Sequence, residues 1–459
     1  MKLPFLNRTE ELFRLQKAFN AANSTLVCLY GRRRCGKSRL LQKALKNMVH
    51  VYYVGDERES GLQRQALAKE ISRILSGFDK VQYSSWDDLF ERWYKDAPSG
   101  AVLAIDEFPF LVATSPELPA VLQKYIDRES EKKLHCALCG SSQRMMYGLV
   151  LDASAPLFGR AREIMKVAPL SVTYLHKAMS CKSAETAIEA FSVWGGVPRY
   201  WELAMEYDSL MESVKDLVLN PLSVLFHEPE RLLSDQLRDI RQSASLLSVI
   251  GQGCNRLSEI AGRMGKPATS LTRPLSVLLE LGLVRREIPF GSTVRDSKRS
   301  LYKIADPFLR FWLKYVEPNR SLLESGNTSA VVDSMKHSLP MHIADIWEDL
   351  ARNSVAHLSI NTRQWGVASR YWGNALGGGI VEIDIVAESL ENKSDVLVGE
   401  AKHTCTVKEV PRLLKELHSK AARCPVLKGK NIHSTLWILK PPKGVPGILS
   451  GDDVIEAMG

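Results

Sequence analysis

The sequence offers little that would carry it into or across a membrane. No apolar run among its 459 residues approaches the length of a membrane span. The opening stretch MKLPFLNRTEELF lacks the apolar core of a signal peptide. Its 8 cysteines are scattered and several stand inside apolar stretches, which is typical of reduced thiols. These absences predict a cytoplasmic protein without a membrane partner.

A zinc-ribbon arrangement of cysteines is also missing. Cys136 and Cys139 form one C-x-x-C in LHCALCGSS, but no second pair follows at the required spacing. We therefore interpret both as packing residues of a strand. The length predicts about three domains, and the net charge of +9 is compatible with nucleic acid or phosphate partners without distinguishing them.

The most informative stretch is YGRRRCGKSRLLQKAL, residues 30–45. Its spacing is G-x-x-x-x-G-K-S, the pattern of a phosphate-binding P-loop. An apolar, strand-like run precedes it and a helical pattern follows, as that loop requires. The alternative is a chance match in a basic helix. The residues predicted to bind nucleotide are Gly31, Arg32, Arg33, Arg34, Cys35, Gly36, Lys37, Ser38 and Arg39.

This pattern predicts ATP and Mg²⁺ as cofactors. Backbone N–H groups and the start of the following helix would hold the phosphates. Lys37 would reach the β- and γ-phosphates, and Ser38 would be a Mg²⁺ ligand. AVLAIDEF then predicts a buried parallel strand, expected next to the strand before the loop. It ends in Asp106, a second metal-side carboxylate, and Glu107, which would activate the attacking water.

Further polar residues are predicted at the same edge of the sheet. LHCALCGSSQRMM places Ser142 and Gln143 after an apolar strand, where either would sense the γ-phosphate or form an ordinary turn. In PLFGRAREIMKVAPLS, Arg160 or Arg162 would be an arginine finger. Such a finger acts in cis or across a subunit interface, which leaves a homo-oligomer or a partner protein as open alternatives.

The middle of the chain predicts a winged helix-turn-helix. Three helical segments precede two short extended pieces, VRREIPF and RSLYKIA. Exposed polar residues would face DNA from the third helix and the wing, or the module would pack on protein instead. These residues are Ser270, Thr272, Arg273, Arg295, Lys298 and Arg299.

The C-terminal third contains the alternating stretch IVEIDIVAES and the apolar stretch DVLVGEAKH, joined by a polar turn. A hairpin centred near Lys393 would place Asp384 opposite Lys402, with Glu400 diagonally adjacent. Asp384 and Glu400 would bind a divalent metal, with Lys402 beside a bound water. A salt-bridged solvent face is the alternative.

Several motifs together resemble the archaeal-type ATPase family of the AAA+ class. They are FLNRTEELFRL, YGRRRCGKSRLL, LAIDEFPFL, LCGSS, PLFGRAREI and WGGVPRY. The resemblance implies that Phe5, Asn7 and Arg8 lie near the adenine. It also implies that Arg199, in a helical lid, is a sensor arginine that approaches the phosphates.

The C-terminal motif resembles the restriction-endonuclease-like PD-(D/E)-x-K fold. Asp384, Glu400 and Lys402 match it, Ile383 stands where the pattern has proline, and Glu348 resembles an additional acid from the first helix. The predicted fold class is therefore α/β, a P-loop NTPase parallel sheet followed by three further domains. The predicted boundaries are 1–175 for the ATPase core, 176–236 for the lid, 237–318 for the winged helix and 319–459 for the nuclease-like domain.

Three functions fit this organisation. The first is an ATP-hydrolysing switch that acts on or near DNA. The second is an ATP-gated, metal-dependent DNA nuclease of a defence system or mobile element. The third is a regulator that binds ATP without hydrolysing it.

Overall fold

A computed structural model describes residues 3–128, 132–236, 240–293 and 299–459. The chain divides into two compact units. The N-terminal unit is residues 5–169, and the C-terminal unit is residues 170–459 together with the short segment before residue 5.

The N-terminal unit alternates helices and strands. Its elements are α1 (Thr9–Phe19), β1 (Leu26–Tyr30), α2 (Lys37–Leu45), β2 (His50–Val54), α3 (Ser60–Ile71), α4 (Trp86–Asp96), β3 (Ala101–Asp106), α5 (Phe108–Thr114), α6 (Leu118–Ile126), β4 (Leu134–Gly140), α7 (Gln143–Val150) and β5 (Ala161–Lys166).

The five strands form one parallel sheet in the order β2-β3-β4-β1-β5. Every residue of β3 and β4 is buried, as continuous apolar strands covered on both faces require. This confirms the predicted α/β fold class. The expectation that β3 would adjoin β1 is wrong, because β4 lies between them.

The C-terminal unit begins with helices and ends with a mixed sheet. Its elements are α8 (Val172–Ala178), α9 (Ala184–Trp194), α10 (Pro198–Ala204), α11 (Leu210–Leu217), α12 (Glu228–Gln236), α13 (Ile240–Gly251), α14 (Leu257–Met264), α15 (Ala268–Glu280), β6 (Val284–Glu287), β7 (Leu301–Ile304), α16 (Pro307–Tyr315), α17 (Arg320–Glu324), α18 (Thr328–Ser354), β8 (Ser359–Ile360), β9 (Arg363–Gln364), β10 (Ser369–Asn374), β11 (Ile380–Glu388), β12 (Asp395–Thr404), α19 (Glu409–Ala422), β13 (Asn431–Lys440), β14 (Ile448–Leu449) and α20 (Gly451–Ala457).

The larger sheet of this unit has the order β10-β11-β12-β13-β14. The first two pairings are antiparallel and the last two are parallel. Apolar side chains of β11, β12 and β13 pack against α19 and form a separate core. This is a second α/β region with its own hydrophobic centre.

Three helices and an antiparallel hairpin, α13 to β7, occur in the order expected of a winged helix. The hairpin contacts β10, because Phe290 N–H donates to the Arg370 carbonyl at 2.7 Å and Arg299 donates to the Trp372 carbonyl at 3.3 Å. Arg295 and Lys298, predicted in the wing, lie outside the described residues.

Within the part of the chain that the structure describes, no helix has the length and apolar character needed to cross a membrane. Cys136 and Cys139 are buried in β4 as free thiols, in line with their interpretation as packing residues.

Candidate functional site

The loop between β1 and α2 has the backbone that a phosphate cradle requires. Gly31 has φ +147°, and a Cβ built there would lie 2.4 Å from the Val167 carbonyl oxygen. Gly36 has φ +91° and caps the N-terminus of α2. Both conformations favour glycine, and the contact at Gly31 leaves no room for a side chain.

Lys37 is the first residue of α2, and its side chain turns back over the loop. It is buried, and its Nζ donates to the Gly31 carbonyl at 2.8 Å and to the Arg32 carbonyl at 3.1 Å. The loop thus holds an ammonium group at a helix N-terminus, bonded to two of the loop's carbonyls. Phosphate oxygens are the ligands that such a charge and field favour.

The other predicted loop residues differ in exposure. Arg32 and Cys35 are buried, whereas Arg33 and Arg39 are exposed. Arg34 has φ 69°, a left-handed backbone conformation that is uncommon for a residue with a side chain. The Cys35 thiol is 1% exposed and therefore packs into the protein.

Asp106 ends β3 as a buried carboxylate in a network that the sequence did not predict. The Tyr52 hydroxyl, from β2, donates to Asp106 Oδ2 at 2.5 Å, and the Glu107 N–H donates to Oδ1 at 3.0 Å. Burial and the bond to Asp106 raise the pKa of Tyr52, whose side chain is also hydrogen-bonded to Ser38. Ser38, Tyr52 and Asp106 therefore form one connected group of oxygen atoms.

Cys139 of β4 joins this group because β4 lies between the strands that end in the loop and in Asp106. Burial raises the pKa of Cys139 well above its usual value, and the Asp106 charge raises it further against the opposing effect of Lys37. The thiol therefore stays protonated near the Asp106 carboxylate.

Glu107 is held by Ser141, a residue that the sequence did not single out. Glu107 Oε2 accepts from the Ser141 N–H at 3.0 Å and from the Ser141 hydroxyl at 2.9 Å. Glu107 has φ 52°, so the backbone reverses there and α5 follows directly. These bonds fix the carboxylate between the ends of β3 and β4.

Ser142 and Gln143, the predicted phosphate sensors, begin α7. Ser142 is its N-cap, and the Ser142 hydroxyl accepts from the Met145 N–H at 3.4 Å. Gln143 is buried. Ser142 thus has a structural role in capping, and its predicted contact with phosphate stays a prediction.

The candidate arginines differ in their partners. Arg160 forms an ion pair with Asp127 at 2.8 Å, and its guanidinium also donates to two backbone carbonyls. Arg162 is exposed on β5. Arg199, in the C-terminal unit, pairs with Glu202 at 3.1 Å. Their predicted roles in catalysis and phosphate sensing stay predictions.

The predicted adenine-side segment carries two consecutive left-handed residues, Asn7 at φ 53° and Arg8 at φ 70°. The Arg8 guanidinium is buried, pairs with Glu11 at 2.9 Å and also donates to a backbone carbonyl. The Lys43 ammonium lies over the Phe5 ring, 4.0 Å from the centroid of that ring. The segment is therefore anchored to the N-terminal unit beside α2.

The second candidate site lies in the C-terminal sheet, and its register differs from the prediction. Ile385 pairs with Gly399, which places Asp384 opposite Glu400 rather than opposite Lys402. Asp384 Oδ2 also accepts from the Ala401 N–H at 3.2 Å. The hairpin centre is one residue nearer the N-terminus than predicted, which moves every cross-strand partner by two positions.

Glu400 is buried between two lysines. Its carboxylate accepts from Lys402 at 3.0 Å and from Lys420 of α19 at 3.0 and 2.8 Å. Lys420 was not predicted, because it lies on a helix remote from the motif. Burial alone would lower the pKa of Lys402, but the carboxylate of Glu400 outweighs it and raises that pKa.

The other two predicted carboxylates of the site, Asp384 and Glu348, both have raised pKa values. Burial raises the pKa of Asp384, and the charge of Glu400 raises it further. Burial and the charge of Asp384 likewise raise the pKa of Glu348 to about 7. Glu348 is therefore near enough to Asp384 for their charges to interact, and its role as an additional acid of the site stays a prediction. Carboxylates crowded in this way are characteristic of divalent-metal sites.

A buried ionic cluster adjoins this site. Asp349 of α18 accepts from Arg285 at 2.5 Å, Arg310 at 3.0 Å and Arg352 at 3.0 Å. Burial raises the pKa of Asp349, but the three guanidinium groups outweigh burial and hold it far below its usual range. Arg352 also donates to the Asp384 backbone carbonyl at 3.0 Å.

Comparison with known families agrees with the N-terminal site. Residues 5–203 match a family described as an ATPase domain predominantly from Archaea. This part of the chain is therefore similar to archaeal ATPase domains. Residues 312–413 match a second family, described as archaeal and bacterial proteins of unknown function.

Two proteins of Methanocaldococcus jannaschii are similar in sequence. An uncharacterized protein is 26% identical over 425 residues, which cover 91% of this chain and 92% of the relative. An uncharacterized ATP-binding protein is 49% identical over 43 residues, which are 9% of this chain and 73% of that relative.

Two solved structures match this chain in the structural comparison. A Walker-type ATPase of Pyrococcus abyssi has a TM-score of 0.50 at 21% identity, covering 68% of this chain and 96% of its own. The ORC2 protein of Aeropyrum pernix, in ADPNP and ADP complexes, has a TM-score of 0.45 at 14% identity, covering 74% and 97%. The first likeness agrees with the P-loop NTPase fold of the N-terminal unit.

Proposed function

We propose that the protein is an ATP-hydrolysing switch of the AAA+ type whose C-terminal unit acts on DNA. The ATPase part of this proposal rests on one observation. Lys37, Asp106 and Glu107 all lie at the carboxyl edge of one parallel sheet. Ligands of open α/β sheets bind at this edge. The short relative named as ATP-binding supports the choice of nucleotide.

Each residue has a distinct part in this proposal. The loop amides and Lys37 bind the phosphates. Glu107, oriented by Ser141, accepts a proton from the attacking water. Ser38 and Asp106 supply hard oxygen atoms that suit Mg²⁺, which would neutralise phosphate charge when bound. Arg160 or Arg162, in cis or from another subunit, would stabilise charge that develops on the γ-phosphate, and Arg199 would be a sensor arginine.

Two substitutions test the ATPase. Lys37→Ala should abolish ATP binding, because the phosphates lose their buried cation. Glu107→Gln should retain binding and stop turnover. Binding and hydrolysis are measured on the full chain by titration calorimetry and phosphate release. Wild-type turnover that is negligible and unaffected by Glu107→Gln would favour a non-hydrolysing ATP-binding regulator instead.

A second candidate activity is metal-dependent DNA cleavage by the C-terminal site. Asp384, Glu400 and Lys402 lie close together on one sheet face, and Glu348 and Lys420 approach from two helices. The carboxylates suit Mg²⁺ or Mn²⁺, which would supply Lewis-acid chemistry to a phosphodiester when bound. Lys402 would steady charge on the phosphate or hold the attacking water.

Cleavage of plasmid DNA with Mn²⁺ tests this candidate, with and without ATP. Asp384→Ala, Glu400→Ala and Lys402→Ala should each abolish cleavage and leave ATP hydrolysis intact. Glu382→Gln is the matched control, because Glu382 lies on the same strand, two residues from Asp384, and is exposed. Equal cleavage by all four variants would assign the activity elsewhere.

DNA binding itself would be electrostatic. Ser270, Thr272 and Arg273 are exposed on α15, in line with their predicted outward position. Replacing Arg273 with Ala should lower DNA affinity and reduce the slope of log affinity against log salt by about one. An unchanged slope would assign the three-helix module to protein packing.

A further inference from the structure

A group of metal-ligating side chains lies outside both sites described above. Glu185 and Glu189 are one turn apart on α9, so their side chains share a face of that helix. His403 lies near the end of β12. One oxygen of each carboxylate and one ring nitrogen of His403 all lie within 4.8 Å of one another.

We propose that Glu185, Glu189 and His403 bind a first-row transition-metal cation, Zn²⁺ being the clearest representative. Zinc bonds of about 2.0–2.2 Å place ligand atoms roughly 3–4 Å apart, so small side-chain rotations bring these three into range. An imidazole with two carboxylates suits Zn²⁺, Co²⁺ or Mn²⁺ better than Mg²⁺ or Ca²⁺, which prefer oxygen ligands alone.

The charges around this group favour a cation. All three side chains are half-buried, and burial together with the charge of Glu185 raises the pKa of Glu189. Lys440 opposes this shift, and its Nζ lies 3.1 Å from Glu185 Oε2. The Lys440 side chain is 65% exposed, so it can turn into solvent when a metal binds. A structural ion cluster completed by Lys440 is the alternative.

This site is separate from the carboxylates of the nuclease-like site. Successive residues of a strand point to opposite faces, so His403 lies on the face opposite Glu400 and Lys402. A metal bound here joins α9, near the start of the C-terminal unit, to the strand that carries Lys402. Its function is to clamp that strand against the helix.

Zinc titration of the full chain tests the proposal. All proteins carry Asp384→Ala and Glu400→Ala, so the nuclease-like site does not contribute, and they are first stripped with chelator. We expect one Zn²⁺ per chain, measured by calorimetry, and visible absorption of bound Co²⁺ that is typical of a histidine and carboxylate site. Glu185→Gln, Glu189→Gln and His403→Ala should each weaken binding more than about tenfold, since even outer-shell losses cost that much.

Two controls separate metal binding from a structural ion cluster. His337→Ala removes an exposed histidine of α18 and should bind Zn²⁺ as the parent does. Lys440→Ala should bind Zn²⁺ as tightly or more tightly, because a competing cation is gone. Zn²⁺ should raise the Tm of the parent but not the Tm of Glu189→Gln. Each protein is compared with itself, with and without Zn²⁺, so a lower stability of one variant does not affect the result. Equal Zn²⁺ affinity in the His403, Glu189 and His337 variants would overturn the proposal.

Discussion

Removing the Asp349 carboxylate should destabilise the C-terminal unit strongly. Three guanidinium groups bond to this one buried side chain. In Asp349→Ala their charges would remain buried without a counterion, which costs about 3–5 kcal/mol. At roughly 2 °C per kcal/mol for a unit of this size, the Tm should fall by about 6–10 °C.

Thermal unfolding of the full chain measures this effect, with hydrogen exchange to locate it. Exchange should accelerate in β6 and α18, which contain Arg285 and Arg352, whereas the parallel sheet of the N-terminal unit should be unchanged. Asp333→Ala is the matched control, because it breaks an exposed pair with Lys336 on the same helix and should cost about 0.5 kcal/mol or less.

The pH dependence gives a second check on the same residue. The pKa of Asp349 is lower in the folded than in the unfolded chain. The stability that this carboxylate contributes is therefore fully present above about pH 4, its pKa in the unfolded chain. That stability is lost as the pH falls from there through the lower pKa of the folded chain. The stability difference between wild type and Asp349→Ala should be constant from pH 8 to pH 5. A difference below about 1 kcal/mol at pH 7 would refute the reasoning.

Three further outcomes are expected. Gly31→Ala should abolish ATP binding and destabilise the N-terminal unit, because its added Cβ meets a carbonyl oxygen 2.4 Å away. The control is Gly148→Ala in α7, whose added Cβ meets nothing within 4 Å. It should change neither ATP binding in calorimetry nor thermal unfolding. Ser141→Ala should slow ATP turnover by about 10–100-fold with unchanged ATP binding, because Glu107 loses a hydrogen bond worth about 1.5–3 kcal/mol. Equal rates of Ser141→Ala and wild type in single-turnover assays would contradict this. Burial lowers the pKa of His342 to about 4. The free energy of unfolding should therefore fall by up to about 3 kcal/mol as the pH drops from about 6.5 to 4. In urea titrations of His342→Gln, the free energy of unfolding should fall less over the same pH range.

The sequence alone determined the nucleotide-binding loop and the strands that support it. Gly31, Gly36 and Lys37 lie within a few residues of one another, so their geometry follows from local backbone conformation. The apolar runs that became β3 and β4 are equally local, because burial on both faces requires unbroken apolar sequence. The positions of Asp106 and Glu107 at a strand end therefore follow from the amino-acid pattern by itself.

The tertiary structure decided which side chains complete each site. Tyr52, Ser141 and Lys420 come from elements remote in sequence from the residues that they contact, and no local pattern specifies such pairs. The position of β4 between β1 and β3 depends on chain topology. The pairing of Asp384 with Glu400 instead of Lys402 depends on where the hairpin turns. A one-residue shift of that centre keeps the same sheet face buried, so the apolar pattern is satisfied by both registers and only packing selects between them.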